Sequence, residues 1–79
     1  MKVVLTVRSK GRNAAWKEEF DAADLMDPAD MYRRKRGRVT VATDAGAQDW
    51  GKALIAAFNK VPGTLKRTLI SAELVEGEA

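Results

Sequence analysis

The clearest periodicity in this chain is helical, and at length it occurs once. Trp50, Leu54, Ala57, Phe58 and Val61 recur at i, i+4, i+7, i+8 and i+11, with Ala47 extending the stripe backwards. That spacing lays apolar side chains along one face of an α-helix. Asp44 stands where an N-cap belongs and Pro62-Gly63 where the chain must turn, so the pattern predicts a helix over about 45–59. Gly46 and Gly51 each cost such a helix roughly 1 kcal/mol relative to alanine, and they permit close packing on a neighbouring layer. With 79 residues the chain is one domain, 1–79,. A single apolar helix face in so short a chain needs a sheet to bury it.

The rest of the apolar pattern has period two. In KVVLTVR (2–8), Val3, Leu5 and Val7 point one way and Lys2, Thr6 and Arg8 the other, the signature of a half-buried strand. SKGRN (9–13) is a turn, with Gly11 and Asn13 suited to positive φ. AAWKEEFDA (14–22) puts Ala14, Trp16, Phe20 and Ala22 on one face. It reads as the second arm of a hairpin, although Trp16 and Phe20 also sit at helical i, i+4 spacing. RVTVAT (38–43) reads as a third strand with Val39 and Val41 inward. RTLISAELV (67–75) reads as a fourth, with Ile70, Ala72 and Leu74 inward and Leu69, Ser71 and Glu73 outward. Between them, Asp27-Pro28 is a helix start, Asp30 lies in its first turn and Gly37 suits a C′ position. These signals predict a short helix near 28–35. The expected fold is α+β and two-layered: a four-stranded, mainly antiparallel sheet packed by one main helix. At least three of Trp16, Phe20, Tyr32, Trp50 and Phe58 are expected in the core.

Reactive side chains are scarce. The chain has no cysteine and no histidine, so a serine nucleophile would lack its usual base and zinc its usual ligands. PGTLKRT lacks the spacing of a phosphate-binding P-loop. Glu18 and Glu19 are neighbours on a predicted strand and face opposite ways. Asp21, Asp24, Asp27 and Asp30 lack the alternation, glycine and closing glutamate of a calcium loop; turns, one cap and one first-turn charge account for them. The reading is a non-enzyme with no catalytic residues, no metal and no cofactor. No apolar run approaches the ~18 residues of a membrane span, and the start reads as a strand rather than a signal peptide. A cytoplasmic protein without membrane contact is expected.

Net charge is +3, but its distribution is uneven. Residues 32–38, YRRKRGR, carry five bases and no acid. A helix dipole accounts for one or two such charges, at ~0.3–1 kcal/mol each. The remainder repel one another until an anion arrives. Arg33, Arg34, Lys35, Arg36 and Arg38 are therefore the primary candidate contacts for an anionic partner. Lys10 and Arg12 in the hairpin turn extend the patch, and Tyr32 is placed to stack on a base or to cover the core.

The layout of an N-terminal hairpin, GRVTVATDAGAQDWGKALIAAFNK as strand, cap and helix, and RTLISAELV as closing strand resembles small accessory proteins of phages and mobile elements, including anti-CRISPR inhibitors. The resemblance implies a single compact domain without catalytic residues that occupies a surface on a larger machine. Its partner would be a bacterial protein or protein–nucleic-acid complex, and the basic run favours contact with bound nucleic acid or an acidic protein surface. Two other readings stand beside it. One is a sequence-tolerant DNA- or RNA-binding module using the same residues. The other is a structural subunit of a homo-oligomer, pairing through an exposed strand edge or through Val4, Leu69 and Val75; across the readings a monomer or homodimer is expected.

Overall fold

The first strand, β1 (Lys2–Ser9), lies in the middle of a three-stranded antiparallel sheet. The structure is a computed structural model and describes residues 1–23, 25–28, 30 and 37–76. A tight turn leads from β1 to β2 (Ala15–Asp21), with Leu5 opposite Glu18 and Val7 opposite Trp16. The alternation of β2 settles its two readings: Trp16, Glu18 and Phe20 are half-buried, and Ala15, Lys17, Glu19 and Asp21 are exposed. Two short strands follow, β3 (Leu25–Met26) and β4 (Arg38–Val39), paired antiparallel with each other. Helix α1 (Asp44–Asn59) and the last strand, β5 (Arg67–Val75), complete the chain. β5 lies on the other side of β1, giving the order β2-β1-β5.

The α+β architecture is as expected, but the main sheet has three strands among the described residues. Both edges of β1 are taken by β2 and β5, and 38–43 does not join them. Only Arg38–Val39 is strand, in the separate ribbon with β3. Val41 still reaches the core and donates a backbone bond of 3.4 Å to Ala22. The expected helix near 28–35 falls largely outside the described residues. Among its described flanks, Gly37 departs from the expectation. Asp27 donates its amide to the Gly37 carbonyl at 2.8 Å, continuing the β3–β4 ladder, and Asp30 closes a turn onto the Asp27 carbonyl at 2.9 Å. Gly37 lacks the positive φ of a helix C′ residue. Its missing side chain instead leaves room for the Asp30 carboxylate.

The core lies between the sheet and α1. Val3, Leu5 and Val7 are fully buried beneath Ala47, Trp50, Leu54 and Ile55. Trp50 joins three units. Its ring meets Phe20 of β2 edge-on at 5.1 Å, and its indole N–H donates to the Met26 carbonyl of the ribbon at 3.0 Å. Gly51 marks the closest approach of helix to sheet: a Cβ there would lie 2.9 Å from Leu5 Cδ2 and 3.2 Å from Leu69 Cδ2. The helix propensity lost at Gly51 is thus exchanged for contact between layers.

Two details of β5 and α1 reverse the sequence reading. The register between β1 and β5 slips between Thr6 and Val7, so that Thr6 faces Ser71 while Val7 faces Leu69. Ile70 is the extra residue of this β-bulge, and the bulge inverts the alternation beyond it. Leu69 turns in against Gly51, and Ile70 is 52% exposed. Val4, on the open face of the sheet between Glu19 and Glu73, is only 7% exposed. Val4, Leu69 and Val75 therefore do not form the shared apolar patch that one oligomer reading used. At the helix start the N-cap is Thr43, not Asp44: Thr43 is extended and its Oγ1 accepts from the Gly46 amide at 3.0 Å. Thr43→Ala is expected to lower stability by about 1 kcal/mol through loss of the cap. Gly51→Val is expected to cost about 2 kcal/mol by overpacking Leu5 and Leu69. Both are read as shifts of the urea midpoint at constant slope.

Candidate functional site

Asp44, displaced from the cap role, has another. Its Oδ1 accepts from the Leu74 amide of β5 at 2.9 Å. At the other end of α1, Asn59 makes a matching contact with β5. The Arg67 amide donates to Asn59 Oδ1 at 2.8 Å, and Asn59 Nδ2 donates to the Arg67 carbonyl at 2.9 Å. The side-chain amide replaces a neighbouring strand's peptide unit. The helix thus runs antiparallel to β5 and is clasped to it at both ends.

The Asn59 clasp gathers charge. Lys60 is the C-cap of α1. Pro62 and Gly63, with Gly63 at φ +80°, turn the chain back, and Thr64 Oγ1 donates to the Val61 carbonyl at 2.9 Å. The chain then reaches Lys66, whose carbonyl accepts from the Lys10 amide at 2.8 Å. Lys10 sits in the β1–β2 turn, closed by the Arg12 amide on the Ser9 carbonyl at 3.1 Å, with Gly11 at φ +80°. Gly11 supplies the left-handed position such a turn requires. Arg8 lies alongside, opposite Ala15 and Thr68.

Residues 8–15 and 58–69 together contain six bases and no acid, and the fold brings them to one end of the molecule. Arg8, Lys10, Arg12, Lys60 and Lys66 are exposed. Arg67 is half-buried and is committed within the chain. Its guanidinium lies 4.1 Å from the Phe58 ring centroid and 5.1 Å from that of Trp16. Its Nη1 is 3.3 Å from Glu18 Oε1, which also accepts from Trp16 Nε1 at 3.0 Å. This stack holds the base of the pole, and the five exposed cations project around it. The opposite end of the sheet carries Asp21, Asp44, Glu73 and Glu76, with Lys2 among them. Within the main sheet and helix, among the described residues, bases gather at one end of β1 and carboxylates at the other, over about 23 Å for eight residues, with Lys2 and the ribbon's Arg38 as the bases toward the acidic end,.

Among the described residues, the structure sets Arg38 apart from Lys10 and Arg12, which the sequence reading joined. Tyr32, Arg33, Arg34, Lys35 and Arg36 lie outside the described residues. Arg38 is described; it pairs with Met26 in the ribbon, near Ala22 and the acidic end, and it engages a partner rather than standing as a free charge. Lys10 and Arg12 sit at the other end of β1 and do not extend a patch around Arg38. The residues missed from sequence are Arg8, read only as the outward end of a strand, and Lys60 and Lys66. The signal for the two lysines was the absence of any acid across 58–69, next to a turn that must pack beside the hairpin once β1 is central.

Among the described residues, no group of three or more candidate ligands is placed to hold a metal ion, and no helix is long and apolar enough to cross a membrane. No family model, curated protein or solved structure matches the chain.

If Asn59 holds the pole together, Asn59→Ala is expected to cost about 2 kcal/mol, because it strands a donor and an acceptor of Arg67 at once. Asn59→Asp, which keeps only the acceptor, is expected to fall between wild type and alanine. Chemical denaturation of the three proteins checks the order.

Proposed function

We propose that this protein is a non-enzymatic binding protein whose contact is with nucleic-acid phosphates, carried free or on a larger bacterial nucleic-acid-handling complex that it occupies. The observation that supports the reading is the basic pole, where three chain segments without a carboxylate of their own present five exposed cations around the Arg67–Glu18 pair. Exposed lysine ammonium groups and arginine forks both suit phosphate oxygens, and contacts to phosphate carry no information about base identity. The nearby aromatic rings favour the same conclusion. Trp16 and Phe58 each have a face against Arg67 and do not form an open stacking platform. Sequence-tolerant binding follows. The likeness to phage accessory inhibitors fits a target in which nucleic acid is already bound to protein, and the run 32–38 offers a second basic contact.

Fluorescence anisotropy with a labelled DNA duplex and an RNA single strand tests this. For four neutralised phosphates, affinity for the duplex should fall by about two orders of magnitude between 50 and 200 mM salt. The triple variant K10E/R12E/K66E should bind at least about tenfold more weakly, with a shallower salt slope. Reversing Arg33, Arg34 and Arg36 instead measures the share of the second run. Absence of binding at 50 mM salt, or binding indifferent to the pole variant, contradicts the proposal. Capture of a host complex that survives nuclease would move the contact from nucleic acid to protein.

A further inference from the structure

The two edges of the main sheet are treated differently. On β5, the outward backbone groups at Leu74 and Arg67 are occupied by Asp44 and Asn59. On β2 nothing comparable occurs among the described residues. The Ala22 amide donates to Met1, which sets the phase of the β1–β2 ladder. The backbone groups of Ala15, Lys17, Glu19 and Asp21 therefore point away from β1. Among the described residues, β2 has no strand on that side. Such an edge is a template for another strand.

We propose that two copies of this chain pair through β2, antiparallel about a twofold axis at Glu18, to make a continuous six-stranded sheet. The sequence of the edge selects both the partner and the register. An axis at Lys17 would oppose two exposed lysines and leave Phe20 and Asp21 unpaired; an axis at Glu19 would oppose two exposed glutamates, set Lys17 against Asp21 and leave Ala15 and Trp16 unpaired. An axis at Glu18 opposes Lys17 of each copy to Glu19 of the other and uses the whole length of β2, residues 15–21. Opposite charges directly across a strand pair attract, and like charges repel. On the helix side, the same register sets Trp16 of one copy against Phe20 of the other, in the pair type where side chains approach most closely. The two Glu18 carboxylates also meet there, each already held by Arg67 and Trp16 of its own chain. The charge polarity of the molecule acts in the same direction: antiparallel alignment sets the basic hairpin end of one copy beside the Asp21 end of the other. A single-strand edge buries little area, so the dimer belongs to the weak class. This pairing does not depend on the phosphate contact.

Sedimentation analysis of the full chain from about 10 µM to 1 mM, the range of weak dimers, tests the pairing. Wild type should dimerise within it. K17E and E19K should each raise the dissociation constant by about tenfold or more, since both symmetric pairs become repulsive. The double swap K17E/E19K should return it to within about threefold of wild type. Both side chains are exposed, and circular dichroism confirms that each variant is folded. A chain monomeric throughout overturns the proposal and makes Lys17 and Glu19 guards of the edge. Single variants that dimerise like wild type, or a double swap as weak as the singles, overturn the register.

Discussion

The fold depends on a match of lengths between α1 and β5. From Asp44 to Asn59 the helix rises about 22 Å at 1.5 Å per residue. From Arg67 to Leu74 the strand extends about 23 Å at 3.3 Å per residue. The two elements can therefore be joined at both ends, Asp44 to Leu74 and Asn59 to Arg67. Each clasp satisfies an edge group that would otherwise be open to another strand. The helix is thus fixed along the sheet by polar contacts at its ends and across it by apolar contacts at its middle. Gly51 sets the depth, and Trp50 ties helix, β2 and ribbon together.

The same clasp that orders the helix terminus brings bases together. Lys60 follows Asn59 directly, Lys66 precedes Arg67 directly, and Lys10 is bonded to Lys66 through the backbone. Mutual repulsion of these charges is tolerated because the contacts that hold the segments together are backbone and amide bonds, which do not depend on charge. The one cation that is consumed, Arg67, lies where its guanidinium can use two rings and a carboxylate at once, a role lysine's point charge would fill poorly. The remaining cations keep their hydration and their availability. On the proposed reading, a negatively charged partner would relieve the repulsion that the fold retains.

Much of the fold was legible because its periodicities are strong. The alternation in 2–8 and the 45–59 stripe each point to one element type, and the structure has both. The readings that failed did so for identifiable physical reasons. Ile70 and Leu69 exchange faces because a single bulge shifts the phase of β5, and nothing in RTLISAELV marks where an extra residue will be left unpaired. Thr43 and Asp44 are both good caps by type; Asp44 is claimed by Leu74, a residue thirty positions away. Val39 and Val41 read as a strand of the main sheet, but Val39 pairs with Leu25 in the separate ribbon and Val41 packs into the core without joining a strand. The basic pole was hidden for a related reason. YRRKRGR is conspicuous because its charges are adjacent in sequence, whereas Arg8, Lys10, Arg12, Lys60 and Lys66 become neighbours only through the β1–β5 pairing and the Asn59 clasp.

Backbone-amide NMR during titration with a short DNA duplex at low salt reports where phosphate touches the molecule. If the clasped end is the contact surface, the largest shifts fall on Lys10–Arg12, Lys60 and Lys66, and they disappear as salt is raised. Shifts confined to the Arg33–Arg38 run with the hairpin end silent, or no salt-sensitive shifts anywhere, would contradict a phosphate-binding role for the pole.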